Sequence, residues 1–282
     1  MKTFAISLIS SVCVIAALAW SPTSRAQTVP LVFQTTFNCP EWNETMGLLD
    51  AIVCSIGDGI AGYGAWTAPN HPAGDQITTA ANNPSGGGGK GFRHWAGNGM
   101  NQAGGGLLVI FPPTTEMWFR YSIRFQPGFR WSASGPCYMK TIYVNSGIPG
   151  TFYFGVHDCQ VGGHVEAMST VNHYTSASWT AIGDGNWHSV ELHTKMNLPG
   201  GSSNGVMEVW VDGTKVYTNT AMQFSTTTGA TWAKVNISSN ENSPDSGSAS
   251  LDQYIDYDDI AISTTGYIGP VGVVAPRNLS VQ

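Results

Sequence analysis

The 282-residue chain is poor in charge and rich in glycine: Asp, Glu, Lys and Arg make up 11% of it and 34 residues are Gly, against about 25% and about 7% in ordinary soluble domains. Its formal net charge is −6, and loss of Lys2 and Arg25 with a cleaved leader takes it to −8. That sign argues against a general binder of nucleic acid or of anionic membranes. The shortage of helix-forming charged residues argues against long amphipathic helices.

Lys2, the apolar run Phe4 to Trp20 and Ser24-Arg25-Ala26 read as a secretory signal peptide over residues 1–26. The run is short for a bilayer span, so the expectation is an exported protein with no membrane anchor. Residues 27–270 are expected to form one sandwich domain, with 271–282 as a C-terminal tail or linker.

Four cysteines remain in the mature chain: Cys39, Cys54, Cys137 and Cys159. An even count in an exported chain suggests two disulfides, and three connectivities are possible. The short local loops favour Cys39–Cys54 and Cys137–Cys159, each contributing about 3 kcal/mol in the chain-entropy model.

Val29 to Phe37 reads as a first strand. Asn82 to Gly91, NNPSGGGGKG, reads as a loop; with no strand leading in and no helix following, it is not a phosphate cradle. Leu107 to Phe111 is a continuous apolar run. After Pro112-Pro113, Glu116 to Gln126 alternates: Met117, Phe119, Tyr121, Ile123 and Phe125 on one face, Trp118, Arg120, Ser122 and Arg124 on the other. Strands also fit Tyr138 to Asn145 and Thr151 to Asp158, with His164 to Thr170 a weaker candidate.

Trp187 to Tyr217 reads as two strands with one buried face each. Val190, Leu192 and Thr194 oppose Glu191, His193 and Lys195; Met207, Val209 and Val211 oppose Glu208, Trp210 and Asp212. The turn Asp212-Gly213 follows. Thr231 to Ser238 and Tyr254 to Ser263 complete the set. Many alternating strands with few helices imply an all-β, two-sheet antiparallel sandwich.

Several outward positions carry candidate chemistry. Arg120 and Arg124 lie roughly 13 Å apart on one strand face, and arginine forks bind carboxylates. They line a groove for an acidic sugar or pair with acidic residues of a neighbouring strand. Lys140 shares a face with Tyr138, His157 with Tyr153, and Lys234 and Asn236 alternate with Trp232. A uronate lyase needs a group to neutralise the substrate carboxylate, a base and an acid. Arg120, Arg124, Lys140, His157 and Lys234 are the catalytic candidates. Trp118, Tyr138, Tyr153, Trp232 and Asn236 are the substrate-binding candidates.

A hydrolase needs two carboxylates about 5 to 9.5 Å apart. The E-x-D-x-x-E pattern is absent, which leaves only Glu191 and Glu208 as a cross-hairpin pair. Asp258 and Asp259 offer hard oxygen ligands for a structural calcium, or stand as a polar strand end. No cofactor is otherwise implied.

EMWFRYSIRFQPGFRW (Glu116 to Trp131), NWHSVELHTKMNLPGGSSNGVMEVWVDGTKVY (Asn186 to Tyr217) and DYDDIAIS (Asp256 to Ser263) together resemble the concanavalin-like polysaccharide lyases, the alginate and glucuronan lyase group. The likeness runs in order from about Phe92 to Gly269. It implies a jelly roll with a concave glycan groove lined by Arg, Gln or Asn, His and Tyr. Arg120 and Arg124 match the arginine-bearing strand; near Lys140 a Gln-x-His pair of several members is missing, and WAKVNIS lacks the Tyr of their late strand. The resulting expectation is a secreted, monomeric protein acting on an acidic polysaccharide, by β-elimination if it is an enzyme. The alternatives are a non-catalytic glycan-binding module and a surface adhesin.

Overall fold

A computed structural model describes residues 29–38, 63–66, 76–86, 89–97, 106–129, 138–146, 151–157, 164–169, 173–178, 182–242 and 252–271. Residues 1–26, expected to be a signal peptide, and Cys39, Cys54, Cys137 and Cys159, expected to form disulfides, lie outside these residues.

The described strands are β1 (Leu31–Thr35), β2 (Tyr63–Trp66), β3 (Gln76–Thr78), β4 (Gly91–Gly97), β5 (Gly106–Thr114), β6 (Glu116–Phe125), β7 (Tyr138–Ser146), β8 (Thr151–His157), β9 (His164–Ser169), β10 (His173–Ser178), β11 (His188–Lys195), β12 (Gly205–Val211), β13 (Thr214–Met222), β14 (Trp232–Asn242) and β15 (Asp252–Ser263). They form two antiparallel sheets. The eight-stranded sheet runs β13-β12-β11-β6-β15-β4-β3, with β1 also on β15; the seven-stranded sheet runs β10-β9-β8-β7-β14-β5-β2. This is the expected all-β jelly-roll sandwich.

The period-two faces fall as the sequence implies. Met117, Phe119, Tyr121, Ile123 and Phe125 of β6, Val190 and Leu192 of β11, and Met207, Val209 and Val211 of β12 are buried in the core between the sheets. Ile142 and Val144 of β7 and Val235 and Ile237 of β14 meet them from the other sheet. Burying such side chains contributes roughly 1.5–3 kcal/mol apiece.

Three irregularities position everything that follows. On β15, Asp258 opposes Ser122 and Ala261 opposes Arg120. One extra residue is thus squeezed in, and Asp259 takes a left-handed φ of 51°, a conformation that Asp tolerates better than most residues. On β14, Trp232 and Lys234 oppose the adjacent residues Ser146 and Asn145 of β7. On β7, Lys140 and Ile142 oppose the adjacent Gly155 and Phe154 of β8. A bulge resets the inward and outward alternation beyond it.

Candidate functional site

The predicted site residues divide between the two sheets. Trp118, Arg120 and Arg124 lie on the outer face of the eight-stranded sheet. Lys140, Tyr153, His157, Lys234 and Asn236 belong to the seven-stranded sheet. The structure does not bring the two groups together.

On the eight-stranded sheet the polar side chains bond to one another. Asp256, fully buried, sits in register between Arg93 and Arg124. Arg93 Nε donates to it at 2.7 Å, and Arg124 reaches it through both Nη2 and Nε. Arg124 stacks over Trp187 at 4.8 Å and Arg93 over Tyr254 at 3.5 Å. Arg120 donates to the Asp259 and Gly269 carbonyls. Burial lowers its proton affinity, while Asp259 and Glu191 work the other way. Of the two sequence readings, the pairing with a neighbouring acidic strand describes Arg124.

Glu191 and Glu208 do not form a hydrolase pair. Glu191 opposes Trp210, whereas Glu208 opposes His193. Glu191 accepts from the amides of Ile268 and Gly269 at 2.7 and 2.8 Å, pinning the segment after β15 across the sheet. Burial raises the Glu191 carboxyl despite those amides and Arg120, and burial together with Glu191 pushes Tyr267 up to about 12. Glu208 belongs to a ladder that crosses four strands: Lys195–Glu116 3.3 Å, Glu116–His193 2.9 Å, His193–Glu208 2.8 Å and Glu208–Lys215 2.6 Å. Trp118, expected to bind sugar, stacks flat on His193 with ring centroids 4.2 Å apart.

The carboxylates expected as calcium ligands hold a loop. Asp258 accepts from the amides of Asn83 and Asp259 at 2.8 and 2.7 Å. Asp259 accepts from Asn83 Nδ2 at 2.7 Å and Ser122 Oγ at 3.1 Å. Among the described residues no cluster of three or more His, Cys, Asp or Glu could hold a metal ion. Around Asp258 and Asp259, the amides of Asn83 and Asp259, Asn83 Nδ2 and Ser122 Oγ supply N–H and O–H donors to the two carboxylates. These contacts hold the loop at Asn83, within a segment that has no conformational preference of its own in sequence.

On the seven-stranded sheet the described outer-face residues include Lys234, Tyr143 and Asn236. Lys234 is exposed, and Tyr143 and Asn236 are half-buried, flanked by buried Ile142, Val144, Val235 and Ile237. Asn236 opposes Tyr143, and Tyr143 opposes Tyr153; Lys234 opposes Asn145, which opposes Thr151. Asn236 Oδ1 is buried without a hydrogen-bond partner. An amide oxygen in that state carries a desolvation cost of about 1–3 kcal/mol until something donates to it. Lys140 opposes Gly155, and His157 opposes His164 at the end of β8. Tyr138 opposes Asn242 at the start of β7.

Trp232 departs from the expected pattern. It is fully buried and meets Phe224 edge-on at 5.1 Å. Across from it, β5 is paired with β14 at Thr114 and Ile110 but not at the intervening Pro112 and Pro113. Proline cannot donate to a ladder. The ladder slips there and Trp232 turns to the core, away from the face of Lys234. Tyr143 is the residue sequence reading missed. Thr141 and Ile142 are consecutive yet both fully buried, so the alternation breaks at the bulge before Ile142 and Tyr143 is turned out.

No protein-family model matches the sequence, and no curated protein matches it. Solved structures do match. Alginate lyase Aly36B superposes with a TM-score of 0.58 at 18% identity, over 84% of this chain and 98% of that one. A variant of the same enzyme in complex with alginate trisaccharide gives 0.57 at 17%, over 85% and 100%. The marine PL-14 alginate lyase from Aplysia kurodai gives 0.53 at 12%, over 83% and 99%. The chain shares the jelly-roll fold of these alginate lyases. Among the described residues no helix is long and apolar enough to cross a membrane.

Proposed function

We propose that this chain is an exported polysaccharide lyase that cleaves a uronate-containing polymer by β-elimination on the outer face of its seven-stranded sheet. One observation carries the reading. That face sets an exposed cation, Lys234, and an amide with an unpartnered oxygen, Asn236, beside Tyr143 and its register neighbour Tyr153.

The chemistry needs that combination. Lys234 and the Asn236 Nδ2 group donate to the uronate carboxylate and drain its charge, which acidifies the ring proton alpha to it, while the unpartnered Asn236 Oδ1 is left to accept from a sugar hydroxyl. One side chain removes that proton, and the electron pair forms a ring double bond. The glycosidic oxygen leaves and takes a proton from a second side chain. Tyr143, in register with Asn236, and Tyr153, in register with Tyr143 on the next strand, are the candidates for these two transfers. His157 is four residues from Tyr153 along β8, roughly 13 Å away, so it serves a neighbouring sugar and not the same proton. Lys140, opposite Gly155, lies between them along the sheet.

The test is ultraviolet absorbance of unsaturated ends from alginate, glucuronan and related uronates. The expected result is a signal on at least one polymer, reduced roughly 100-fold or more in Tyr143→Phe and Lys234→Ala. Saturable glycan binding with no unsaturated product across the panel would instead identify a binding module.

A further inference from the structure

We infer that Tyr257, a core residue of the eight-stranded sheet, is a positioning residue for the opposite sheet's outer face; the inference rests on reading that face as the substrate site. Lys140 and Tyr143 are three residues apart on β7, yet they oppose Gly155 and Tyr153, which are two apart on β8. The register therefore carries one extra β7 residue between them, which resets the alternation beyond it. Thr141 is the extra residue. It has no register partner on β8, and none on β14, where Ile237 opposes Ile142 and Asn240 opposes Lys140.

An unladdered residue that is fully buried needs another partner for its backbone. The Tyr257 hydroxyl reaches across the sandwich and donates to the Thr141 carbonyl at 3.3 Å. Tyr257 is itself fully buried and packs against Tyr121, with ring centroids 6.3 Å apart. Burial, with Tyr257 adding, pushes the Tyr121 hydroxyl well above its ordinary range, and the Thr141 side chain opposes that shift. The two phenols converge on the one residue whose extra length turns Tyr143 outward. Phenylalanine would fill the same core volume; the hydroxyl serves the bulge.

The experiment is Tyr257→Phe in the mature chain, with Val209→Ala, a core change remote from Thr141, as the structural control. Two readouts are taken: steady-state kinetics on whichever uronate polymer the wild type degrades, and amide hydrogen exchange across residues 141–144. In Tyr257→Phe we expect kcat to fall roughly tenfold or more with KM little changed, and exchange there to quicken by about tenfold relative to the rest of β7. Val209→Ala should lower the melting temperature without either effect. Unchanged exchange in Tyr257→Phe overturns the inference, as does unchanged kcat in an active enzyme. A wild type that degrades no uronate overturns the site reading alone, since the exchange readout still judges the bulge.

Discussion

The outer faces of the two sheets are built from the same kinds of residue and do opposite things with them. On the eight-stranded sheet, Arg93, Arg124 and Asp256 bond to each other, Glu191 is closed off by the segment after β15, and His193 is clasped by Glu116 and Glu208. On the seven-stranded sheet, Lys234 stands exposed and Asn236 keeps an oxygen without a donor. The lesson is about satisfaction, not composition. A polar face whose groups answer each other is a wall, whereas a polar face with groups left over has something to offer a ligand.

The heaviest blow to that comparison would come from Asp256. Its carboxylate is fully buried between two arginines. Asp256→Ala leaves both guanidinium groups without their anion and should cost about 3–5 kcal/mol of stability, read as a lower denaturant midpoint. Arg124→Ala, which keeps the Arg93 contact, should cost about 1.5–3 kcal/mol. In both variants turnover per folded molecule should stay at the wild-type level. Turnover abolished in a folded Arg124→Ala protein would mean that the arginine strand is catalytic after all, and the comparison would fail.

A smaller effect is expected at Gly86. A Cβ there would lie 1.9 Å from Asp259 Oδ1, so the loop that Asp258 and Asp259 hold must shift. Gly86→Ala should cost about 1–3 kcal/mol. Addition of calcium should not restore it, because the displaced partners are donors. Recovery of the melting temperature by calcium would reopen the metal reading of these two carboxylates.

Much of this was legible in the sequence, and the exceptions share a cause. The alternation in Glu116 to Gln126 and in the hairpin from Trp187 to Tyr217 placed the core faces, because period two survives wherever the ladder is regular. The same alternation misplaced Trp232 and hid Tyr143, since each lies just beyond a bulge. Only the Pro112-Pro113 pair hinted at the first of these, and it sits on the partner strand. For the second no local signal exists, because Thr141 is held by a hydroxyl more than a hundred residues away in sequence. Likewise, the pairing of Arg124 with Asp256 depends on which strand lies beside β6, and no spacing within either segment fixes that.

The finest test is a matter of pH. His188, at the start of β11, bonds Asp212 at 2.8 Å and Asp184 at 3.1 Å. The Asp212 bond raises its proton affinity above the ordinary 6.5 against the pull of burial, with Asp184 adding. Burial alone would raise the two carboxyls, but hydrogen bonds from Asn186 and His188 to Asp184, and from His188 and the Ser189 amide to Asp212, hold both below 3.8. The raised histidine contributes stability that is whole below 6.5 and fades as pH climbs through its folded value. The depressed carboxyls contribute stability that is whole above 3.8 and fades as pH falls through theirs. The cluster is therefore worth most at about pH 5. The melting temperature of wild type minus that of His188→Gln should peak there and shrink by about pH 8. Since His188 lies at the end of β11 on the eight-stranded sheet, this dependence should show in melting and leave the pH profile of turnover where Tyr143, Tyr153 and their substrate put it. A matching shift of the turnover profile in His188→Gln would show that the two faces are coupled through the core, which the independent bonding of the closed face argues against.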